Sequence, residues 1–287
     1  MNSSAVNSTS ASAGVKQIVI GQMAQPEPNL IEPEVTLSRG RLILNADDWG
    51  RDRNTTDMIV DAVRCKTLSS VSAMVFMEDS ERASEIAREH AVDAGIHLNF
   101  TTRFSGPHPQ RLQECQNSVA RFLSKGSAVR AIFNPLLARS FEYLVAAQRD
   151  EFARLYGKEP SRYDGHHHVH LCSNVLMGKL LPAGATVRRY FSLESGQDLR
   201  NRAFRRFTDA FLKRYRVTDL FFSMPPLRPE RLTKIFARGQ QQVVEVETHP
   251  AHPEEHRFLT EGEILRFAGE TPIASGYDFG CEGARSS

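Results

Sequence analysis

Residues 41–50 read RLILNADDWG, and residues 52–67 continue as DRNTTDMIVDAVRCKT. The unbroken apolar run from Leu42 to Leu44 predicts a strand buried on both faces. In the following segment Met58, Ile59, Ala62 and Val63 recur at helical spacing, so the strand feeds a helix. This couplet repeats along the chain. SSVSAMVF, AGIHLNF, RYDGHHHVHL, TVRRYFS, TDLFFSM and QQVVEVE read as further strands. DSERASEIAREH and stretches near 173–181, 198–215, 228–238 and 260–268 read as helices. After a loop rich in Pro and Gly, Asn134 is placed to cap a long helix with Pro135 at its first position, ending near Gly157. Parallel neighbours need crossover connections, so repeated strand–helix units predict an α/β fold with a parallel sheet. The expected architecture is a single β/α barrel, TIM-like, seven-stranded or distorted. A doubly wound open sheet is the alternative.

No internal repeat or linker divides residues 39–287, which therefore read as one domain. Residues 1–38 are rich in Ser, Ala, Asn, Gln and Pro and are expected to form a mostly disordered tail. They show neither a basic n-region nor a long apolar core, and no window approaches the roughly 18 apolar residues of a membrane span. Of 287 residues 40% are hydrophobic and 24% charged, enough for a sizeable core. The net charge of +2, from 36 basic and 34 acidic residues, argues against a broad nucleic-acid-binding face. Four scattered cysteines without a C-x-x-C pair suggest neither a thiolate zinc site nor a disulfide framework. A reduced, cytoplasmic protein without membrane or nucleic-acid partners is expected, and a homodimer stays open.

Chemistry-bearing residues gather at strand ends, where barrels place their sites. Asp47 and Asp48 close the first strand, His97 lies in the third, and His249 follows the last with Glu247 two residues earlier. DGHHHVHL, residues 164–171, holds four of the ten histidines. Read as a strand, it puts His166, His168 and His170 on one face. His166 and His170 would then be roughly 13 Å apart at about 3.3 Å per residue, too far to share an ion. One of the three at most would join Asp48 and His97, and spacing leaves open which.

LILNADDWG resembles the N-A-D-D-F-G motif of the YdjC-like carbohydrate deacetylases. GIHLNFT is similar to that family's G-x-H-x-x-x-T segment. LYGKEPSRYDGHHHVHL resembles its F-G-x-x-P-x-x-x-D-S-H-H-H-V-H block, and VVEVETHP its E-x-x-x-H-P motif. The four occur in the family's order and span most of 41–250, with Trp49 where Phe is usual and Gly165 where Ser is usual. The stretch after residue 190 is shortened and divergent. The resemblance implies a barrel hydrolase that removes acetyl groups from N-acetylated sugars with one divalent metal. By matching positions, Asp48, His97 and His166 would hold the ion, Asp47 would be the general base and His249 the general acid. His168, His170 and Arg188 are further candidates for substrate contact.

These residue types suit amide hydrolysis. Two imidazoles and a carboxylate leave coordination positions open for water and substrate. The carboxylate suits Mg²⁺ or Mn²⁺ and the imidazoles Zn²⁺, so the ligand set does not fix the metal. No nucleophilic Ser or Cys motif is present, which favours direct attack by water. The competing expectations are a metal-dependent phosphoesterase, a glycosidase with paired carboxylates, and a non-catalytic sugar- or metal-binding protein. A glycosidase needs carboxyl groups roughly 5–9.5 Å apart across a cleft, which adjacent Asp47 and Asp48 serve poorly.

Overall fold

The structure is a computed structural model that describes residues 40–193 and 199–277. The expected tail lies outside the described residues. The described chain alternates strand and helix from its first element: β1 (Arg41–Trp49), α1 (Arg53–Arg64), β2 (Ser70–Ala73), α2 (Ser80–Glu89) and β3 (Ala94–Leu98). Then come α3 (Gln110–Leu123), α4 (Ala138–Tyr156), β4 (Arg162–Gly165), α5 (Ser173–Met177) and β5 (Thr186–Val187). The last elements are α6 (Leu199–Leu212), β6 (Leu220–Ser223), α7 (Pro229–Arg238), β7 (Val243–Thr248), α8 (Pro253–Thr260) and α9 (Glu263–Ala268).

All strand pairings are parallel, in the order β5-β4-β3-β2-β1-β7-β6. The chain winds one way from β1 to β5 and returns beside β1 with β7. A doubly wound sheet would reverse at a switch point. The sheet curls instead into a half-barrel with flanking helices, as expected for a distorted TIM-like fold. Its open seam lies between β5 and β6. There Thr186 bridges Arg216, and Ser192 exchanges two hydrogen bonds with the Phe221 backbone, at 2.8 and 2.9 Å.

Local chemistry explains the boundaries. Asp52 caps α1 by accepting from the Thr55 amide at 2.8 Å. Asn134 accepts from Leu136 as expected, but one 3-10 turn (Pro135–Leu137) precedes α4, which ends at Gly157 with φ +67°. The α3 helix is missing from the sequence reading. Its buried stripe, Leu112, Gln116, Val119 and Leu123, has helical spacing but is thin and includes a glutamine. The largest correction concerns the histidine run. The strand expected to reach Leu171 stops at Gly165, and His166–Leu171 forms a 3-10 turn with His167 and His168 both at φ +57°.

One apolar core holds Trp49, Ile96, Phe100, Phe141, Phe152 and Tyr163. A second, around β6, β7 and α7 to α9, holds Leu42, Leu44, Phe222, Phe236, Val244 and Leu259. Between the strands the character changes: Asn45, Asp47, Ser72, Arg162, Asp164, Arg188 and Glu245 are all buried and joined by hydrogen bonds. TIM barrels usually fill that space with branched apolar layers. Here it is a charged network leading to one end of the barrel.

Candidate metal centre and active site

Asp47 and Asp48 would point apart on a regular strand. The ladder between β1 and β2 shifts register between Ala46 and Trp49, and Asp48 takes a left-handed conformation at φ +67°. That irregularity brings both carboxylates to the same barrel mouth. It is anchored by Trp49, fully buried, whose indole N–H donates to the Ala83 carbonyl at 3.2 Å.

Asp48 Oδ1 lies 2.9 Å from His166 Nδ1 and 3.5 Å from His97 Nε2. All three side chains are buried, and their candidate ligand atoms fall within 4.8 Å of one another. Despite these approaches Oδ1 accepts no aligned hydrogen bond. A buried carboxylate oxygen without a donor is costly. Two ring nitrogens converging on it, rather than donating along it, form the donor arrangement a cation needs. The other oxygen, Oδ2, is held at 2.7 Å by Arg51, which orients the carboxylate. His97 is oriented in turn from behind, with Nδ1 2.8 Å from Asp164 Oδ1, so that Nε2 faces Asp48. The residues present therefore fit one divalent ion.

Charge balance agrees. Five buried carboxylates (Asp47, Asp48, Asp164, Glu245 and Glu247) surround two buried guanidiniums, Arg162 and Arg188. Burial alone would push His97 down, yet Asp47, Asp164 and Asp48 together raise it to about 10. Burial would likewise raise the Asp48 carboxyl, but the His166 and His97 rings beside it hold it well below the usual range. The site draws positive charge.

Asp47 is held differently. Arg188 grips it with both terminal nitrogens, at 2.6 and 2.8 Å, and Asn45 donates to Oδ1 at 2.8 Å. Burial opposes ionisation, but Arg188 outweighs it and keeps the carboxyl lowered. Asp47 Oδ2 is 3.9 Å from His97 Nε2, beside the candidate metal triad.

The other expected site residues separate. Arg188 has no exposed surface; its guanidinium is spent on Asp47, Glu245 and Asp164. His170 is equally enclosed, with Nε2 3.0 Å from the Arg188 carbonyl, and burial pushes its pKa down to about 3. At these two positions, named for substrate contact in the sequence, neither side chain has exposed surface. His168 is half-buried, packs edge-on against Phe191 with ring centroids 4.5 Å apart, and lies 3.6 Å from Glu247. Exposed His167 faces Thr101 Oγ1 at 3.1 Å. His249 is half-buried just beyond β7, where Thr248 and the His249 amide both donate to Glu255. The β7 strand pairs directly with β1, Ala46 opposite Thr248, so the chain reaches His249 beside the strand end that carries Asp47. Glu247, two residues before His249, lies against Arg188 and His168.

Four contributors went unread in the sequence. Asp164 sits inside DGHHHVHL, one residue before the glycine, and an alternation count from His97's strand partner could have found it. Glu245 shares a strand face with Glu247 and was equally legible. Asn45 opens the N-A-D-D motif and was legible there, whereas Arg162 carried no local signal.

The conserved profile described as YdjC-like protein matches residues 41–276, and the chain belongs to that family. A carbohydrate deacetylase of Mus musculus is 32% identical over 143 residues, covering 48% of this chain and 45% of that protein. A chitooligosaccharide deacetylase of Yersinia pestis (strain Pestoides F) is 28% identical over 135 residues, covering 47% and 52%. The matched stretch thus spans about half the length of these relatives. A crystal structure from Enterococcus faecalis V583, assigned provisionally to cellobiose-phosphate cleavage, superposes with a TM-score of 0.61 at 19% identity. It covers 83% of this chain and 97% of its own, and shows the shared fold. No described helix is long and apolar enough to cross a membrane.

Proposed function

We propose that this chain is a metal-dependent hydrolase that removes the N-acetyl group from an acetylated amino sugar or oligosaccharide. The observation that carries the reading is Asp48 Oδ1, buried and without a donor, faced by two imidazole nitrogens beside the ionised carboxylate of Asp47. The deacetylase relatives supply the substrate class. Asp48, His97 and His166 would hold the ion, Mg²⁺, Mn²⁺ or Zn²⁺, which when bound supplies Lewis acidity toward the amide carbonyl and toward water.

The remaining work falls to the chain's own groups. Asp47 takes the proton from the attacking water. A carboxylate offers about four acceptor positions. Arg188 and Asn45 fill three of Asp47's, which fixes the direction of the one left over. His249 gives the leaving amine its proton. His168 is the second reading for the donor, favoured by its place 3.6 Å from the carboxylate of Glu247.

The experiment is to incubate the protein with N-acetylglucosamine oligomers and assay acetate, phosphate and reducing ends separately. Acetate alone is expected. Asp47→Asn should retain its metal and lose turnover by roughly 10²–10⁴-fold, the scale of general acid–base catalysis. Loss of metal and activity together would make Asp47 a ligand instead.

A further inference from the structure

Beyond α9 the chain turns back under the barrel. The Leu42 amide donates to Pro272 O and the Ala274 amide to Leu42 O, both at 2.8 Å, which lays this segment along the start of β1. The Tyr277 amide then donates to Asp93 Oδ2 at 2.7 Å. Its side chain enters the charged interior at the end away from the metal centre. Two features meet there. The phenol O–H donates to Glu245 Oε2, while Glu245 Oε1 accepts from Arg188 Nε at 2.7 Å, and Arg188 grips Asp47 with its other two nitrogens. The Tyr277 ring also lies 4.6 Å under the Arg162 guanidinium. Arg162 Nη2 donates to Asn45 Oδ1 at 2.9 Å, and Asn45 donates to Asp47 at 2.8 Å.

We propose that Tyr277 is a positioning residue for Asp47, acting through two routes: Glu245 and Arg188 on one side, Arg162 and Asn45 on the other. This rests on the reading of Asp47 as the base. Both of these donors to Asp47, Arg188 and Asn45, are thus backed, two contacts away, by the same tyrosine. Burial, and then the Glu245 charge, keep the phenol protonated, so it serves as a donor. A carboxylate that abstracts a proton needs its free acceptor position aimed to within a fraction of an ångström, and supporting groups supply that aim. None of these contacts involves Asp48 or His166, so the positioning role separates from metal binding.

Tyr277→Phe removes the Glu245 route and keeps the ring on Arg162. It should lower kcat roughly tenfold or more, the usual scale for a supporting contact, with KM and metal content unchanged. Tyr277→Leu removes both routes and should cost more. Glu245→Gln combined with Tyr277→Phe should cost less than the product of the two singles. A second readout is independent of turnover: the Arg188 Nε–H resonance, identified by its loss in Arg188→Lys, should shift and exchange faster in Tyr277→Phe. Both changes are required. Wild-type kcat, an unmoved Arg188 resonance, a multiplicative double variant, or a Tyr277→Phe protein that unfolds or loses metal would each overturn the proposal. If the wild-type protein releases no acetate, the deacetylase reading fails by itself, and the resonance still decides the tether.

Discussion

The ends of β1 and β4 solve one problem in two ways. Each must bring neighbouring polar side chains to a single barrel mouth, although a strand sends neighbours to opposite faces. At β1 the pairing continues through Trp49, and the left-handed Asp48 inserts a bulge that keeps Asp47 and Asp48 together. At β4 pairing stops at Gly165 and a 3-10 turn begins, with two successive left-handed histidines. The bulge saves both acids for the site. The turn sorts its histidines instead: His166 to the cluster with Asp48 and His97, His167 to the surface, His168 beside Glu247, His170 into the core. A bulge preserves a pair, whereas a turn disperses a run.

If this comparison holds, Asp48→Ala and His166→Ala should be equally damaging, because each removes one ligand of the same ion. Metal content of the purified proteins, by elemental analysis, should fall from about one per chain to near background in both. Retention in either would break the symmetry between the two strand ends.

The dispersal of the run makes smaller, graded predictions. His170→Ala should cost about 2–4 kcal/mol of stability by denaturant unfolding, since it empties a closed core position and orphans the Arg188 carbonyl. Its metal content should persist. His167→Ala, at an exposed position, should shift stability by no more than about 0.5 kcal/mol. Were His167→Ala the more destabilising of the two, the assignment of inside and outside along the turn would be wrong.

The difference between the two strand ends also explains what the sequence disclosed. Strand–helix alternation showed the barrel, because buried parallel strands read as apolar runs between amphipathic helices. The clustering of Asp48, His97 and His166 was legible through their motifs. Strand geometry misplaced the histidine run, because nothing in HHHVH marks left-handed backbone at non-glycine positions. The burial of Arg188, a candidate for substrate contact, was hidden for another reason: arginine is rarely enclosed, and only the fold supplies the carboxylates of β1, β4 and β7 that surround it. Tyr277 follows the last helix in a stretch of Ser and Gly and gives no sign of reaching the barrel interior. Long-range partners of charged residues are what a single chain read in order cannot display.

The central claim joins the bulge of β1 and the turn of β4 through one ion. Its most direct test is acetate release from N-acetylglucosamine oligomers after exhaustive chelation, followed by return of Mg²⁺, Mn²⁺ or Zn²⁺ singly. Release should vanish in the metal-free protein and come back with at least one of the three ions, but not in His97→Ala. Undiminished acetate release from the chelated, metal-free protein would contradict it.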